Sequence, residues 1–212
     1  MTTGAAASRW PTIRVAIAYH SVRGHVARLA GAVADGVVEV PDTVVDLVAL
    51  DSLTPASWEI LDGADALVFG CPTYMGGPST VFKAFAEESL RVWLDDLRWR
   101  HKVATGFTHS QALSGDKLST LQYFTILAAQ HGMVWVTLDL YPGTAGTTGL
   151  LNRLGAWLGA MSQSDHDAPI DASPPAGDLE TARHLGRRVA RVARDIIVGR
   201  HVLHTATERT AS

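Results

Sequence analysis

The chain has 212 residues, of which 47% are apolar and 18% are charged, with a formal net charge of −3 at pH 7. A chain of this length and apolar content can bury a large core, which excludes intrinsically disordered, collagen-like and coiled-coil proteins. The slight excess of acidic residues argues against nucleic acid as the main ligand, because a phosphate backbone is bound by a strongly basic surface. We therefore expect one domain with a site for a small molecule.

Cys71 is the single cysteine of the chain, so it can form neither an internal disulfide nor a CxxC motif. This favours a reducing compartment, and we expect a cytoplasmic location. No segment reaches the roughly 18 consecutive apolar residues of a membrane span, so no membrane is expected as a partner. We expect a flexible leader at residues 1–11, a folded domain at residues 12–200 and a flexible tail at residues 201–212.

Short apolar runs without polar alternation predict the strands. Runs of this kind are typical of strands that are buried on both faces of a parallel sheet. They lie at residues 13–19, 43–50, 66–70, 103–107 and 133–138.

Amphipathic helices are predicted between these strands from apolar residues at i, i+3, i+4 spacing. The first helix carries Val26, Leu29, Ala30, Val33, Ala34 and Val37. The helix after the third strand begins near Pro78 and carries Phe82, Phe85, Ala86, Leu90 and Trp93. The helix after the fourth strand is capped by Ser114, ends at Gly132 and carries Phe124, Leu127, Ala128 and His131. A short helix is predicted within residues 52–61, and the last helix begins near Asp178 as its N-cap.

The alternation of strands and helices predicts an α/β protein. Each interval between strands is long enough for a right-handed crossover, which gives a doubly wound, five-stranded parallel sheet with helices on both faces. The long segment at residues 139–177 is either a functional excursion or an oligomer contact. Apolar residues at 150–161 have helical spacing, but Gly155 and Gly159 weaken that interpretation, and residues 162–176 are expected to form a surface loop.

Doubly wound sheets bind ligands outside the carboxyl ends of their strands, which directs attention to three loops. The first, residues 20–25, leads into a helix N-terminus whose free amides can bind a phosphate, with Ser21 as a donor and Gly24 allowing close approach. Alternatively, Ser21 only caps the helix. The loop contains neither GxGxxG nor GxxxxGK[ST], so it is neither a dinucleotide fingerprint nor a P-loop.

The second loop, residues 70–78, combines glycines and prolines with Tyr74 and Met75. Its glycines allow a flat ring to approach the backbone, and Tyr74 or Met75 could cover the face of that ring. An ordinary turn, in which both side chains fill a gap, is the alternative. Cys71 is expected to be buried and unreactive.

The third loop, residues 108–114, offers several hydrogen-bond donors at the same edge of the sheet. A hydrolase dyad of His109 and Ser110 is disfavoured, because GxSxG is absent and no acidic partner is evident. A zinc site is also disfavoured, because the histidines form no HExxH motif.

Three sequence segments together resemble the signatures of WrbA-type NAD(P)H:quinone oxidoreductases of the flavodoxin-like superfamily. They are residues 21–26, the run FGCPTYMG at residues 69–76 and the run QHGM at residues 130–133. The resemblance implies a flavodoxin-like fold, FMN as cofactor, NADH or NADPH as electron donor, a quinone-like acceptor and a homo-oligomer, dimeric or tetrameric.

The resemblance also implies the residues of the flavin site. The phosphate would be held by Ser21, Val22, Arg23, Gly24, His25 and Val26. The second loop would contribute Pro72, Thr73, Tyr74, Met75 and Gly76, with residues 73–75 against the isoalloxazine. The site would be completed by Thr108, His109, Ser110, Gln111, Ala112, Leu113 and Ser114. His131 and Tyr74 are the candidate acid or base groups.

The chain departs from the family pattern at three places. Arg23 replaces an aromatic residue associated with the nicotinamide cofactor, Gln130 replaces a histidine, and residues 110–113 replace a glycine-rich run. Two alternatives therefore stay open. One is a one-electron flavodoxin carrier, although such carriers usually have a strongly acidic docking face. The other is a flavoenzyme that tailors an aromatic natural product in a pocket built from residues 139–165.

Overall fold

The computed structural model describes residues 10–210, and side chains up to residue 206. One mostly parallel sheet runs through the molecule with helices on both faces, which confirms the predicted fold class. Along the described chain, no helix has both the length and the apolar surface that crossing a membrane requires.

The elements follow one another in the predicted alternation. The strands are β1 (Ile13–Tyr19), β2 (Thr43–Ala49), β3 (Ala66–Tyr74), β4 (Gly77–Pro78), β5 (Val103–Ser110), β6 (Val134–Trp135), β7 (Thr144–Gly146), β8 (Gly149–Leu151) and β9 (Ala160–Gln163). The helices are α1 (His25–Val38), α2 (Pro55–Gly63), α3 (Thr80–Glu88), α4 (Leu90–Leu94), α5 (Lys117–Gln130) and α6 (Ala176–Thr210). Short 3₁₀ turns lie at Leu50–Ser52 and Ile170–Ala172.

The central sheet has seven strands rather than the predicted five. Its order is β2-β1-β3-β5, and two short parallel strands share the position beyond β5. β6 pairs with the amino end of β5, where Val103 faces Val134, whereas β9 pairs with its carboxyl end, where Ser110 faces Gln163. The seventh strand, β4, turns back antiparallel on the end of β3. The fifth sheet position is thus split, with residues 136–159 inserted between its two halves.

Two apolar cores fill the space between the sheet and its helices. On one face, α1 and α6 bury Val26, Leu29, Val33, Leu185 and Val189 against β1 and β3. On the other face, α2, α3 and α5 bury Trp58, Leu61, Phe82, Phe85 and Phe124. The helices α1 and α6 approach closely at two glycines. A Cβ atom on Gly36 would lie 1.9 Å from the Arg183 carbonyl oxygen, and one on Gly186 would lie 2.0 Å from that of Val33.

Strand predictions were right in position and partly wrong in extent. β1 has the predicted bounds, whereas β3 and β5 continue to Tyr74 and Ser110, which carries both strands into the predicted loops. The prediction that every strand is buried on both faces is wrong for β2. This strand lies at the edge of the sheet, so Val44 and Leu47 are exposed.

Several helix boundaries differ from the predictions. The stripe through residues 82–93 is broken at Ser89, where α3 ends and α4 begins, and this leaves Leu90 and Trp93 exposed. The helix α3 is capped by Ser79 and does not begin at Pro78, which lies in β4. Ser114 does not cap α5, because the helix begins three residues later, after Asp116.

The last helix is longer at both ends than the sequence predicts. It begins at Ala176, so Asp178 lies within its first turn, where the carboxylate is buried and pairs with Arg153 at 2.7 Å. The helix continues to Thr210, through most of the segment predicted as a tail. Of the predicted leader, residues 1–9 lie outside the described chain.

Residues 139–177 form no α-helix before residue 176. β7 and β8 make an antiparallel hairpin, and β9 returns the chain to the sheet. Asn152 holds the insertion together, since its Nδ2 donates to the carbonyls of Leu140 and Ala156 at 2.7 and 2.9 Å while its Oδ1 accepts from the amide of Ala156. The surface loop predicted at residues 162–176 is shorter, because residues 162–163 belong to β9 and Ala176 begins α6. Residues 164–175 form a loop with one 3₁₀ turn, in which Ser164 and Ser173 are buried.

Candidate functional site

A cleft of about 400 Å³ opens at the carboxyl ends of β1, β3 and β5. Its lining residues belong to the three loops singled out in the sequence, except Val26, which is the second residue of α1. They are Ser21, Val22, Arg23, His25, Val26, Pro72, Thr73, Tyr74, His109, Ser110 and Gln111. The volume is within the range of cofactor sites. The order of the parallel strands therefore brings together loops that are far apart in the sequence.

The first loop ends at the N-terminus of α1. Gly24 is the N-cap with φ +90°, and the first helical hydrogen bond runs from the Arg28 amide to its carbonyl. The Ser21 hydroxyl accepts from the Ala27 amide at 3.1 Å, so Ser21 satisfies one helix amide although it is not the N-cap itself. The amides of His25 and Val26 precede the first helical bond, which makes this end of the cleft suitable for an anion.

A second segment, which no sequence pattern predicts, covers the start of α1. The Arg28 guanidinium donates to the carbonyls of Ile170, Asp171 and Ser173 and fixes the loop at residues 170–173 over the first turn of α1. The Ile170 side chain lies 3.1 Å from the position of a Cβ atom on Gly24. Gly24 is thus required both by its positive φ and by Ile170, and it shapes the loop without lining the cleft.

The second loop is a two-residue hairpin between β3 and β4. Met75 and Gly76 have φ of +47° and +78°, as a type I′ turn requires. Pro72, Thr73 and Tyr74 line the cleft, and Tyr74 is 49% exposed at its mouth. Met75 and Gly76, also predicted for the site, do not line the cleft, because the turn places both residues at the hairpin tip, where Met75 is fully exposed.

The floor between the second and third loops is a network of three threonine hydroxyls. Thr73 Oγ1 lies 2.8 Å from the hydroxyl oxygens of both Thr108 and Thr120. The Thr108 hydroxyl also donates to the Cys71 carbonyl at 2.7 Å. Thr108 is therefore a buried support and does not line the cleft, contrary to the prediction. Cys71 is buried as expected, and burial raises the pKa of its thiol to about 12.

The third loop is held from below by a buried lysine. Lys117 Nζ donates to the Ser110 hydroxyl and to the carbonyls of Ala112 and Leu113 at 2.8–2.9 Å. Burial lowers the pKa of Lys117 to about 8. These bonds turn the end of the loop away, so Ala112, Leu113 and Ser114 do not line the cleft as predicted. Leu113 and Ser114 line a neighbouring depression between α5 and the insertion.

Two stacked histidines connect the first and third loops. The rings of His25 and His109 lie 4.8 Å apart at 17°, and His109 Nδ1 is 2.8 Å from the Ser162 hydroxyl. Burial lowers the pKa of His109 to about 4, and the charges of His25 and Lys117 act in the same direction. The pKa of His25 is also lowered, by burial and then by Arg23 and Arg28. Both imidazoles are therefore neutral at neutral pH.

Of the two candidate acid or base residues, only Tyr74 lies in the cleft. His131 follows the end of α5 near the amino ends of the strands, opposite the cleft. There the carbonyl of the neighbouring Gly132 accepts from the His101 amide. Its Nε2 is 2.9 Å from the Ser89 hydroxyl and its ring packs against Trp99. The prediction that His131 acts at the cleft of the same chain is wrong, because α5 carries the chain away from the carboxyl ends of the strands.

The cleft fits the two ends of FMN. At the first loop, two buried imidazole nitrogens, His25 Nε2 and His109 Nε2, have no hydrogen-bond partner within the described structure. The surrounding side chains of Arg23, Arg28 and Lys117 are cationic, which suits a phosphate. At the other end, Pro72 and Tyr74 offer flat apolar surface to a ring.

A doubly wound sheet with such a cleft at its carboxyl edge is the architecture of the flavodoxin-like flavoproteins. Residues 20–141, more than half of the chain, match the family described as NADPH-dependent FMN reductase, and the chain belongs to this family. It is therefore an FMN-dependent oxidoreductase with NAD(P)H as electron donor, which confirms the predicted cofactors.

Relatives from several organisms cover nearly the whole chain. It is 39% identical to "Flavodoxin FldP" of Pseudomonas aeruginosa over 86% of this chain and 98% of that protein. It is 32% identical to an "NAD(P)H dehydrogenase (quinone)" of Archaeoglobus fulgidus over 85% and 97%. A flavodoxin, WrbA-like protein from Agrobacterium tumefaciens has a similar crystal structure, with a TM-score of 0.69, 42% identity and coverage of 86% and 98%. The resemblance to the WrbA-type family is thus confirmed.

Proposed function

We propose that the cleft holds FMN and that two electrons pass from NAD(P)H through the flavin to a quinone or a similar aromatic acceptor. The observation that carries the proposal is the meeting of all three loops in one cleft, with a cationic helix N-terminus at one end and apolar surface at the other. The names of relatives such as the Archaeoglobus fulgidus NAD(P)H dehydrogenase (quinone) support a quinone as acceptor.

The protein groups divide between the two ends of the cofactor. The amides at residues 22–26 and the cationic side chain of Arg23 would bind the phosphate. Ser110 and Gln111 would donate or accept hydrogen bonds along the ribityl chain and the ring edge. Pro72 and Tyr74 would pack on the ring, and Tyr74 at the mouth would exclude water from it.

Bound FMN would supply the hydride and electron transfer between nicotinamide and acceptor, so the protein need supply no nucleophile. Two buried side chains near the cleft are in protonation states that suit this role. The histidine of the cleft that is most buried, His109, is neutral at pH 7 because burial lowers its pKa to about 4. Cys71 is not nucleophilic, because burial raises its pKa to about 12. The role of the chain would be to bind the flavin, to orient it and to shield it from water.

The test is reconstitution with FMN followed by anaerobic oxidation of NADH and NADPH in the presence of menadione or benzoquinone. We expect turnover with a quinone and a ping-pong pattern, because donor and acceptor would use the same cleft in succession. Tight FMN binding without any quinone-dependent oxidation of either nucleotide would contradict the proposal.

A one-electron carrier is the second candidate, favoured by the name of the Pseudomonas aeruginosa relative. It predicts that the FMN-loaded protein passes electrons from a ferredoxin-type reductase to cytochrome c but does not oxidise NAD(P)H by itself. The same preparation and the same assays separate the two functions. The third idea is a natural-product pocket built from residues 139–165. None of those described residues lines the cleft, although residues 154–158 and Met161 line the neighbouring depression with Leu113 and Ser114.

We also propose a homo-oligomer, dimeric or tetrameric. The apolar side chains of Leu90, Trp93 and Leu94 on α4 are exposed and adjacent, which is unusual for a monomer surface. Light scattering after size exclusion tests this, with a mass of one chain, 22.6 kDa, as the contradicting result.

A further inference from the structure

The stacked imidazoles of His25 and His109 are not used as acids or bases by the proposed reaction. They come from two elements, the first turn of α1 and the end of β5, and they form one wall of the cleft. His109 is 5% exposed, and Ser162 on β9 fixes its ring through Nδ1. The Nε2 atoms of both rings are inaccessible to solvent and unpartnered among the described side chains and backbone. Two buried polar atoms of this kind are costly unless a ligand satisfies them.

The charges around the pair all have the same sign. Arg23 in the first loop and Arg28 on α1 act on His25, and Lys117 on α5 acts on His109. Two carboxylates, Asp178 on α6 and Asp116 before α5, act on Lys117 and not on the pair itself, and Asp178 is bonded to Arg153 and to the Gln163 amide. His20 in the first loop is bonded to Ser79, and His166 is bonded to Gln111. The pair therefore lies in a desolvated, cationic environment in which no acid compensates it.

We propose that His25 and His109 are a proton-accepting part of the flavin phosphate site, so that binding of a phosphate ester dianion is accompanied by uptake of one proton from solvent by the pair. This inference rests on the proposed placement of FMN in the cleft. No bond of the cofactor changes in the step, since the proton passes from the buffer to an imidazole nitrogen. The pair then favours phosphorylated flavin over riboflavin.

Electrostatics explain why one proton is taken up and not two. In the free cleft, burial and three cations oppose any positive charge on the rings. A dianion nearby reverses the sign of the local field and stabilises an imidazolium. A second imidazolium at a ring distance of 4.8 Å would repel the first, so the two rings share a single proton.

The coupling has a definite pH dependence. For His109 the free cleft has a pKa of about 4, and the complex is expected to have a higher value. Between those two values the bound form holds one more proton than the free form. The contribution of the pair to the preference for FMN over riboflavin therefore falls as pH rises through this window, by up to about tenfold per pH unit.

Calorimetry measures the proton directly. FMN and riboflavin are titrated into the full chain at about pH 6 in two buffers of different ionisation enthalpy, which yields the number of protons exchanged on binding. The ester has a second pKa near 6 of its own, so the decisive quantity is the difference between wild type and variant. His109→Asn retains a group at the Nδ1 position for Ser162, and it is combined with His25→Asn in one double variant, because either imidazole alone can still take up the shared proton. His166→Asn is the matched control outside the pair.

We expect the wild type and His166→Asn to take up about one proton more per FMN than the double variant, with no such difference for riboflavin. Equal proton counts in all three proteins, with FMN bound, would overturn the inference and leave the proposed cleft intact. Failure of the wild type to bind FMN would instead refute the proposed function. If the double variant does not fold, an NMR titration of the wild-type imidazoles with and without FMN decides, because an unchanged pKa for both rings overturns the inference.

Discussion

His109 and His131 are two buried histidines with opposite surroundings. Each pairs with a serine hydroxyl, Ser162 at 2.8 Å and Ser89 at 2.9 Å, and burial lowers the pKa of each. His109 also faces a second histidine and a lysine at the carboxyl edge of the sheet, whereas His131 packs on Trp99 at the amino edge. The comparison teaches that a buried His–Ser pair does not by itself indicate function. The charged neighbours of the pair, and the end of the strands at which it lies, must also be known.

The largest expected effect tests whether FMN binds at the carboxyl ends of the strands. Gly24→Asp would place a carboxylate at the start of α1, at φ +90° and against Ile170. Repulsion of the phosphate together with strain is expected to weaken FMN binding at least a thousandfold, about 4 kcal/mol, as measured by quenching of flavin fluorescence. Gly63→Asp, at a glycine with open space around it, is the matched control and should bind FMN like the wild type. An FMN affinity within threefold of wild type for Gly24→Asp would refute the phosphate assignment.

The next effect concerns the pH dependence of stability at the same edge. The unfolded chain has an ordinary histidine with a pKa of 6.5, whereas folded His109 has a pKa of about 4. Between these values the unfolded state binds more protons, so the FMN-free protein loses stability as pH falls from 6.5 to about 4. His109 contributes up to about 3 kcal/mol of that loss.

Urea denaturation of the FMN-free protein across this range measures the slope. His109→Asn is expected to lower the slope relative to wild type, since asparagine does not titrate. A slope that is the same in both proteins would show that His109 is protonated equally in the folded and unfolded chains.

At the amino edge, the prediction separates stability from binding. His131→Leu removes the bond to Ser89 and is expected to destabilise the chain by about 2 kcal/mol while leaving the FMN affinity within twofold of wild type. His131→Gln retains a polar group near the Nε2 position and should recover part of the stability. Urea denaturation and flavin titration of the same samples give both quantities. A tenfold loss of FMN affinity without loss of stability would place His131 back in the flavin site.

The same contrast explains what the sequence could predict. Apolar runs and helical stripes identified the strands and the three loops, because buried parallel strands and amphipathic helices have periodicities that are local in sequence. The lining residues of the cleft came from those loops, except Val26 on α1. Arg28 was not predicted, since the tertiary fold brings the carbonyls to which it donates from a distant part of the chain. Lys117 was not predicted either, although the carbonyls that it binds are local, because no sequence motif marks a lysine that donates to backbone carbonyls.

Other features could not be predicted because they depend on contacts between residues that are far apart in the sequence. The position of His131 depends on which edge of the sheet the end of α5 reaches, and a short QHGM motif does not contain that information. The fifth sheet position is split because β9 pairs with β5 across an insertion, and no local pattern reveals this pairing. The apolar residues at 150–161 have helical spacing, but this segment contains parts of β8 and β9 and forms no helix. The position of β2 as an edge strand could likewise not be predicted, because strand order depends on contacts between distant parts of the chain.

The smallest expected effect lies at the hairpin tip, just outside the cleft. Met75 has φ +47°, a left-handed conformation that costs an ordinary residue roughly 1 kcal/mol, although glycine is more flexible in the unfolded chain. Met75→Gly is therefore expected to change the free energy of unfolding by less than about 1 kcal/mol and to leave FMN affinity within twofold of wild type. Tyr74→Ala, one residue earlier on the cleft wall, is the contrasting variant and should weaken FMN binding by about tenfold through lost ring packing. If Met75→Gly weakened binding as much as Tyr74→Ala, the hairpin would have to fold over the ring when FMN is bound, and the boundary of the site would shift outward to include its tip.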